Sequence, residues 1–433
     1  NYPLLKGVQT NLYKCFLPQA WMLNNVRGVS GFLHPEGVYD DPKGGVFRAA
    51  VYPRLKSHFQ FQNQHMLFPI GHRVKFSINI FSNSPSVELG FDSISNLFSV
   101  RTIDSCYAHD GQGVVGGIKT ADGKSWNEAG HSNRIVHVGE RRLALFATLY
   151  DEQGTSALAA RLPTLHASQL TSVLEKFAAQ SRRLGDLKGE YLSLEMWHET
   201  NQQKDGTIRR ETRFPDDAGQ WVLSGPHFFV GTPFYKTPRA VCTEKGHYDC
   251  LDLTALPDNY LPRTNYVPAC SPAEYAERMP RVPWSKDERV ISKFRFVARS
   301  MLSQAGERTL IPAIMPPGAA HIDPCNSTTF RNDHELLIFV ACCLSLSFDF
   351  FVKTTGNPRF RENIAKHLPI PAVDDVEWRW RLLSLICLTT HYADLWQSWY
   401  QWEFREQRWS TDTQLLDPDF FANLTPQWQR HCA

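Results

Sequence analysis

The sequence predicts an α/β protein that ends in helices, on three observations. Short apolar runs at residues 29–33 and 74–81 alternate with stretches of helical spacing, the pattern of a parallel α/β sheet. A second region, residues 186–230 and 294–315, reads as strands separated by turns. Two further stretches, 335–352 and 377–408, are apolar or tryptophan-rich and read as helices.

Taken in order, Leu12, Cys15, Phe16, Ala20 and Leu23 fall near helical spacing, so residues 12–23 form an amphipathic helix. The run 29–33 empties into His34-Pro35-Glu36-Gly37, a strand followed by a loop. Residues 40–45 are turn-rich, 47–59 are helical in pattern and 74–81 form a strand. Glycine, serine and aspartate dominate 82–124, which receives no assigned element. Residues 134–150 read as two strands and 167–184 as a helix with a polar outer face. Residues 237–284, rich in proline, tyrosine and cysteine, read as an irregular crossing segment.

The 433 residues suffice for two or three domains, each with its own core. A net charge of +2 excludes a uniformly basic nucleic-acid binder, so any DNA-binding surface has to be a local patch. The ten cysteines are scattered, with Cys342 and Cys343 adjacent, unlike a secreted disulfide framework; reduced thiols and a cytoplasmic setting are expected. Residues 336–352 carry Ser345, Ser347 and Asp349 and are short for a membrane span, so they read as a buried helix. The chain opens at Asn1, without methionine and in mid-pattern, and is read as a segment of a larger protein.

Three motifs occur in a telling order: Asn11-Leu12-Tyr13 at a helix start, residues 28–37 running from Gly28 to Gly37, and Lys75-Phe76-Ser77-Ile78-Asn79-Ile80. Together they resemble the second half of the catalytic domain in large adenine-specific (N6) DNA methyltransferases. These are the enzymes fused to a recognition domain in type IIG restriction systems and in phage defence of the BREX or DISARM kind. Further on, Trp221 to Phe229, Arg295 to Arg299, Glu307 to Gly318, and the stretch from Leu344 to Pro371 resemble the target recognition domain of the same family.

The resemblance implies a partial Rossmann-like methyltransferase sheet, then an α+β target recognition domain. In boundaries, 1–105 is the end of the catalytic domain, 106–190 a connecting β/α region, 191–375 the recognition domain and 376–433 a helical C-terminal segment. It implies site-specific methylation of adenine in double-stranded DNA with S-adenosylmethionine. The partners implied are the rest of the same protein and other restriction or defence subunits. It places His34, Pro35 and Glu36 in the wall of a base pocket and Phe76 as the ring that stacks on an extruded base. Extrusion is what the chemistry requires, because a base inside the duplex is out of reach. Read from the residues alone, Phe76 is equally an ordinary core phenylalanine, His34-Pro35-Glu36 a plain turn, and a general-base role for Glu36 has no support.

The sequence departs from the family at one place. The (Asn/Asp)-Pro-Pro-aromatic loop that carries methyl transfer is missing, and Pro316-Pro317 between Met315 and Gly318 is no match. A glycine-rich loop for S-adenosylmethionine is missing too. Both are expected upstream of Asn1, so no catalytic residue is assigned and the cofactor is expected to be held mainly by residues outside this chain.

For DNA contacts, the candidates are Arg209, Arg210 and Arg213; Arg308 and Thr309; and Lys353, Arg359, Arg361 and Asn363. Phosphate contacts fix register and side chains at base edges give specificity, and arginine serves both. Each of these residues is equally a solvated surface group. Cys242, His247, Cys250 and Cys270 lack the paired Cys-x-x-Cys spacing of zinc knuckles and read as free thiols, so no metal site is assigned. Trp378, Trp380, Trp396, Trp399 and Trp402 read as helix core or a docking face. The alternative to an enzyme segment is a non-catalytic DNA-specificity subunit, which would bind one duplex sequence without depending on S-adenosylmethionine.

Overall fold

A computed structural model describes residues 2–9, 11–244, 246–303, 306–373, 375–411 and 417–429. The chain divides into two compact units, residues 1–181 with 353–356, and residues 182–352 with 357–433.

The N-terminal unit begins with α1 (Leu12–Leu23), followed by β1 (Val29–Pro35), α2 (Gly45–Val51), β2 (Leu55–Gln62), β3 (Lys75–Ser82) and β4 (Gly90–Leu97). Then come α3 (Arg101–Ala108), β5 (Val136–Gly139), α4 (Glu140–Tyr150) and α5 (Thr171–Ala178). The five strands make one sheet in the order β1-β3-β2-β4-β5. The α/β class holds, but the sheet is mixed, not parallel throughout. β3 runs antiparallel to both neighbours, and β5 is antiparallel to β4. Because β1 and β2 both oppose β3, they point the same way, and β2 is directly parallel to β4. Three strands therefore share a direction, and their carboxyl ends lie along one edge.

Two readings of this region change. The predicted helix over 47–59 ends at Val51, before Pro53, whose ring cannot continue it; β2 takes over at Leu55. The second predicted strand of 134–150 is α4, with Leu143, Phe146, Ala147 and Tyr150 buried along one helical stripe.

On β2 and β3 the side chains alternate strictly. Phe59, Phe61, Phe76 and Ile78 face one way and join Ile94, Leu97 and Cys106 in an apolar core. The other face carries His58, Gln60 and Gln62 opposite Asn79, Ser77 and Lys75. Gly356 closes on this side with a left-handed backbone (φ +68°); a Cβ there would lie 2.9 Å from Thr164 Oγ1 and 3.2 Å from Lys75 Nζ. Gly356→Ala is thus expected to destabilise the unit by about 1–3 kcal/mol, read as a lower denaturant midpoint for protection of β2 and β3 amides. An unchanged midpoint would contradict it.

The second unit contains β6 (Tyr191–Leu194), α6 (Glu199–Lys204), β7 (Ile208–Arg213), β8 (Val222–Leu223), β9 (Lys236–Pro238) and β10 (Tyr248–Cys250). It continues with β11 (Thr264–Pro268), α7 (Pro272–Arg278), β12 (Arg295–Arg299), β13 (Pro312–Met315), β14 (Ala320–His321) and β15 (Cys325–Phe330). The helices are α8 (Asp333–Leu344), α9 (Leu346–Thr354), α10 (Glu362–Ala365), α11 (Val376–Ile386) and α12 (Ala393–Trp399). Its main sheet, β13-β12-β15-β6, is antiparallel and is covered by α8, whose Phe339 meets Phe296 of β12 edge-on at 5.0 Å. The pairs β7/β11, β9/β10 and β8/β14 lie apart from it.

The segment read as one buried helix over 335–352 is two helices, α8 and α9, with a 76° bend between them. Among the described residues no single helix is long and apolar enough to cross a membrane. The long tryptophan-rich helix likewise breaks, after Ile386 and again after Trp399.

Candidate functional site: the polar face of the first sheet

A sheet face made of His, Gln, Ser, Asn and Lys normally meets water. Here it is buried. His34, Glu36, His58, Gln60, Gln62, Ser77, Asn79 and Ser93 are all closed off from solvent. Groups of this kind need internal partners, since each unmade bond costs about 1–3 kcal/mol.

Most have them. Glu36, in the turn just after β1, takes a hydrogen bond from Gln60 Nε2 at 2.9 Å and lies 3.2 Å from His58 Nε2. His58 Nδ1 meets Ser93 Oγ at 3.0 Å. Tyr39 Oη donates to Asn79 Oδ1 at 2.6 Å, and the Asn79 amide donates to Ser77. Gln62 Nε2 donates to Asn96 Oδ1 at 2.9 Å. Burial alone would raise the Glu36 carboxyl; the His58 charge and hydrogen bonds from His58, Gln60 and Ser77 outweigh it and hold the group at about 2. Such an acid is a poor general base, and its oxygens are occupied. Lys75, beside it, is pushed down to about 8 by burial, against the pull of Glu36 and Asp40.

Two acceptors stand out. His34 is 2% exposed and stacks against Tyr13, with ring centroids 5.3 Å apart. Its Nδ1 lies 2.8 Å from the Pro35 carbonyl, which only accepts, so Nδ1 carries the proton. Burial lowers the ring's pKa and keeps it neutral, which leaves Nε2 a bare acceptor without a partner. Gln60 gives its amide N–H groups to Glu36 and Thr164, while its Oε1 has no partner either. His34 and Gln60 both stand opposite Ser77, one strand to each side, so they share a cross-strand row about 10 Å wide. The row lies near the carboxyl edge of β1, β2 and β4, the edge where open α/β sheets bind ligands. Each of the two atoms can take one more hydrogen bond from a donor.

His34, Pro35 and Glu36 thus sit at this edge, with His34 and Glu36 inside the polar cluster. Phe76 does not join them. It lies on the opposite face, 4% exposed, parallel to Phe61 at 5.5 Å and edge-on to Phe68 at 5.0 Å. That geometry offers no open ring face to a base, and the stacking role read for Phe76 is not carried forward. Sequence reading missed His58, Gln60, Gln62, Ser77 and Asn79. Their signal was the alternation His58-Phe59-Gln60-Phe61-Gln62, hidden by extending the preceding helix into it.

For S-adenosylmethionine the residues present do not fit. The strand ends offer no glycine-rich turn that would let a ligand approach the backbone. The glycine after β1, Gly37, is packed so that a Cβ would fall 2.5 Å from Tyr13 Oη.

In the second unit, Arg209, Arg210 and Arg213 lie on β7. Arg209 and Arg213 flank Glu211 at 2.7 and 3.0 Å, and Arg210 donates to the Cys242 carbonyl at 2.8 Å. Arg308 and Thr309 turn inward, correcting their reading as DNA contacts. Arg308 Nη2 donates to the Leu344 carbonyl at 2.9 Å, beside Asp349, and the Thr309 amide donates to Asp349 Oδ1 at 2.7 Å. Both residues are spent on joining the β13 approach to the α8–α9 bend. Arg359 and Arg361 are half-exposed, 3.8 Å from Asp323 and 2.8 Å from Glu195, and Asn363 is exposed on α10. Lys353 is half-buried and belongs to the N-terminal unit. Of the residues once drawn as a zinc site, Cys242 receives the Asn265 amide at 3.5 Å and His247 pairs with Glu244 at 3.2 Å.

No family model matches the chain, and no curated protein matches it. Among solved structures it is loosely similar to the crystal structure of the type IIG restriction endonuclease BpuSI, with a TM-score of 0.27 and 10% sequence identity. That alignment covers 89% of this chain and 45% of BpuSI, so the chain spans less than half the length of the structure it matches.

Proposed function

We propose that this chain is part of a site-specific adenine-N6 DNA methyltransferase of a restriction or phage-defence system. The N-terminal unit supplies part of the base pocket, and the second unit contacts the duplex. The observation that carries this reading is the pair of unpartnered acceptors, His34 Nε2 and Gln60 Oε1, in a buried row at the carboxyl edge of three co-directional strands. An extruded adenine presents an exocyclic amino group with two N–H donors, and buried acceptors without partners are what such a group satisfies. The family resemblance of the residues from Gly28 to Gly37 supports the same pocket. Methyl transfer itself, and the binding of S-adenosylmethionine, are assigned to residues beyond this chain.

The test uses the longer protein that contains the segment. Gln60→Leu and His34→Phe each remove one acceptor while keeping comparable bulk. Each is expected to lower base extrusion, read with a fluorescent adenine analogue, and methyl transfer by about tenfold or more. Full rates in both variants would dismiss the pocket. For the second unit, Arg359→Ala and Arg361→Ala are each expected to lower the slope of log affinity against log salt by about 1. A slope unchanged in the double variant would remove both from the DNA surface.

A further inference from the structure

Residues of α11 and α12, with Leu253, Thr254, Trp409, Ser410, Phe420 and Trp428, line a cavity of about 470 Å³ in the second unit. This is within the usual ligand range of about 300–1,000 Å³. Its wall is formed chiefly by the rings of Trp380, Trp396, Trp409, Phe420 and Trp428.

The polar atoms of that wall divide into two groups. Trp396 and Trp428 are satisfied, their indole N–H groups donating to the Thr425 and Cys387 carbonyls at 2.9 and 2.7 Å. Trp380 and Trp409 are not: both indole nitrogens are buried without a partner, as is Ser384 Oγ. Trp380 is 3% exposed and sits one turn before Ser384 on α11, so the two share a helix face. An indole N–H can only donate. Both indole groups belong to residues of the cavity wall, and oxygen acceptors on an occupant would satisfy them.

The charge pattern narrows it further. Among the described residues that line the cavity Arg381 is the one charged group, and its guanidinium is paired with Glu377 one turn earlier on α11. The indole N–H groups of the wall can only donate, so a ligand that carries oxygen acceptors suits them better than a cationic one.

We propose that this cavity is a binding site for a flat aromatic ligand, neutral or anionic, that carries oxygen acceptors. The rings clasp its faces, and the Trp380 and Trp409 N–H groups with the Ser384 hydroxyl donate to its oxygens. The site is built entirely from residues of the second unit and does not depend on the methyltransferase reading.

Anilinonaphthalene sulfonate, a fused aromatic with an anionic oxygen group, serves as the probe with the full chain. Saturable one-to-one binding is expected, with energy transfer from tryptophan to the dye. Trp380→Phe keeps the ring and deletes one donor, and should weaken binding about three- to tenfold. Ser384→Leu fills the space and should weaken it more than about tenfold. Circular dichroism of both variants checks that they fold; if Ser384→Leu does not, Trp380→Phe decides alone. Non-saturable dye uptake, or equal affinity in the wild type and in every folded variant, would overturn the assignment.

Discussion

Glu36→Ala is expected to destabilise the N-terminal sheet by about 1–3 kcal/mol for each buried donor left without an acceptor. The loss goes beyond a single contact. Gln60 Nε2 would keep only Thr164, His58 Nε2 would lose its partner, and Ser77 would lose its acceptor, all inside a face closed to water. The same carboxylate makes the sheet acid-sensitive in a defined direction. Its pKa falls from an ordinary 4.5 to about 2 in the folded protein. The unfolded chain thus takes up this proton first, and the stabilisation is fully present above about pH 4.5. It is lost as the pH falls toward 2, in total about 3 kcal/mol. Hydrogen exchange on β2 and β3 amides, followed from pH 6 to pH 2, reads this local stability even though the chain has two units. In Glu36→Gln the acid-induced loss should be smaller by that amount. An identical pH profile in wild type and Glu36→Gln would show that another group governs the acid response.

What the sequence made legible follows from how local each signal is. The strand β3 was readable because Phe76, Ile78 and Ile80 keep a period of 2, whereas the α1 helix was placed but not its inner face: Leu12, Phe16 and Leu23 are exposed and Lys14 and Leu17 are buried. The helix over 47–59 was overextended because Phe47, Val51 and Phe59 carry helical spacing across Pro53, and the strand period begins only after it. In 134–150 the stripe of Leu143, Phe146, Ala147 and Tyr150 was present, but the β-branched start of the segment suggested strands. Arg308 and Thr309 were unreadable in principle: their partners Leu344 and Asp349 lie some 40 residues away. Only the fold brings them together, and an arginine without a visible partner looks like a surface charge. The candidate site was half legible. The loop His34-Pro35-Glu36 was found, whereas its buried neighbours on β2 were concealed by the misplaced helix. For Phe76, alternation gives the period but not which face meets the site.

That last ambiguity has a decisive test, since the two roles of Phe76 predict opposite results. As a core ring packed between Phe61 and Phe68, its truncation to alanine should cost about 3–5 kcal/mol, the range for deleting a buried aromatic side chain. Phe76→Leu, which fills most of the space, should cost far less and leave protection of β3 nearly intact. Extrusion of a fluorescent base by the longer protein should then follow stability alone: lost with alanine as the sheet loosens, retained with leucine. A ring that stacks on the base behaves otherwise, because leucine supplies bulk but no planar face. Stacking is worth about 1–3 kcal/mol per base, so leucine would then weaken extrusion about five- to a hundredfold in a sheet that is still folded. A Phe76→Leu protein with native exchange protection and failed extrusion would return this residue to the pocket. It would also require the Phe61–Phe68 cluster to open when DNA binds.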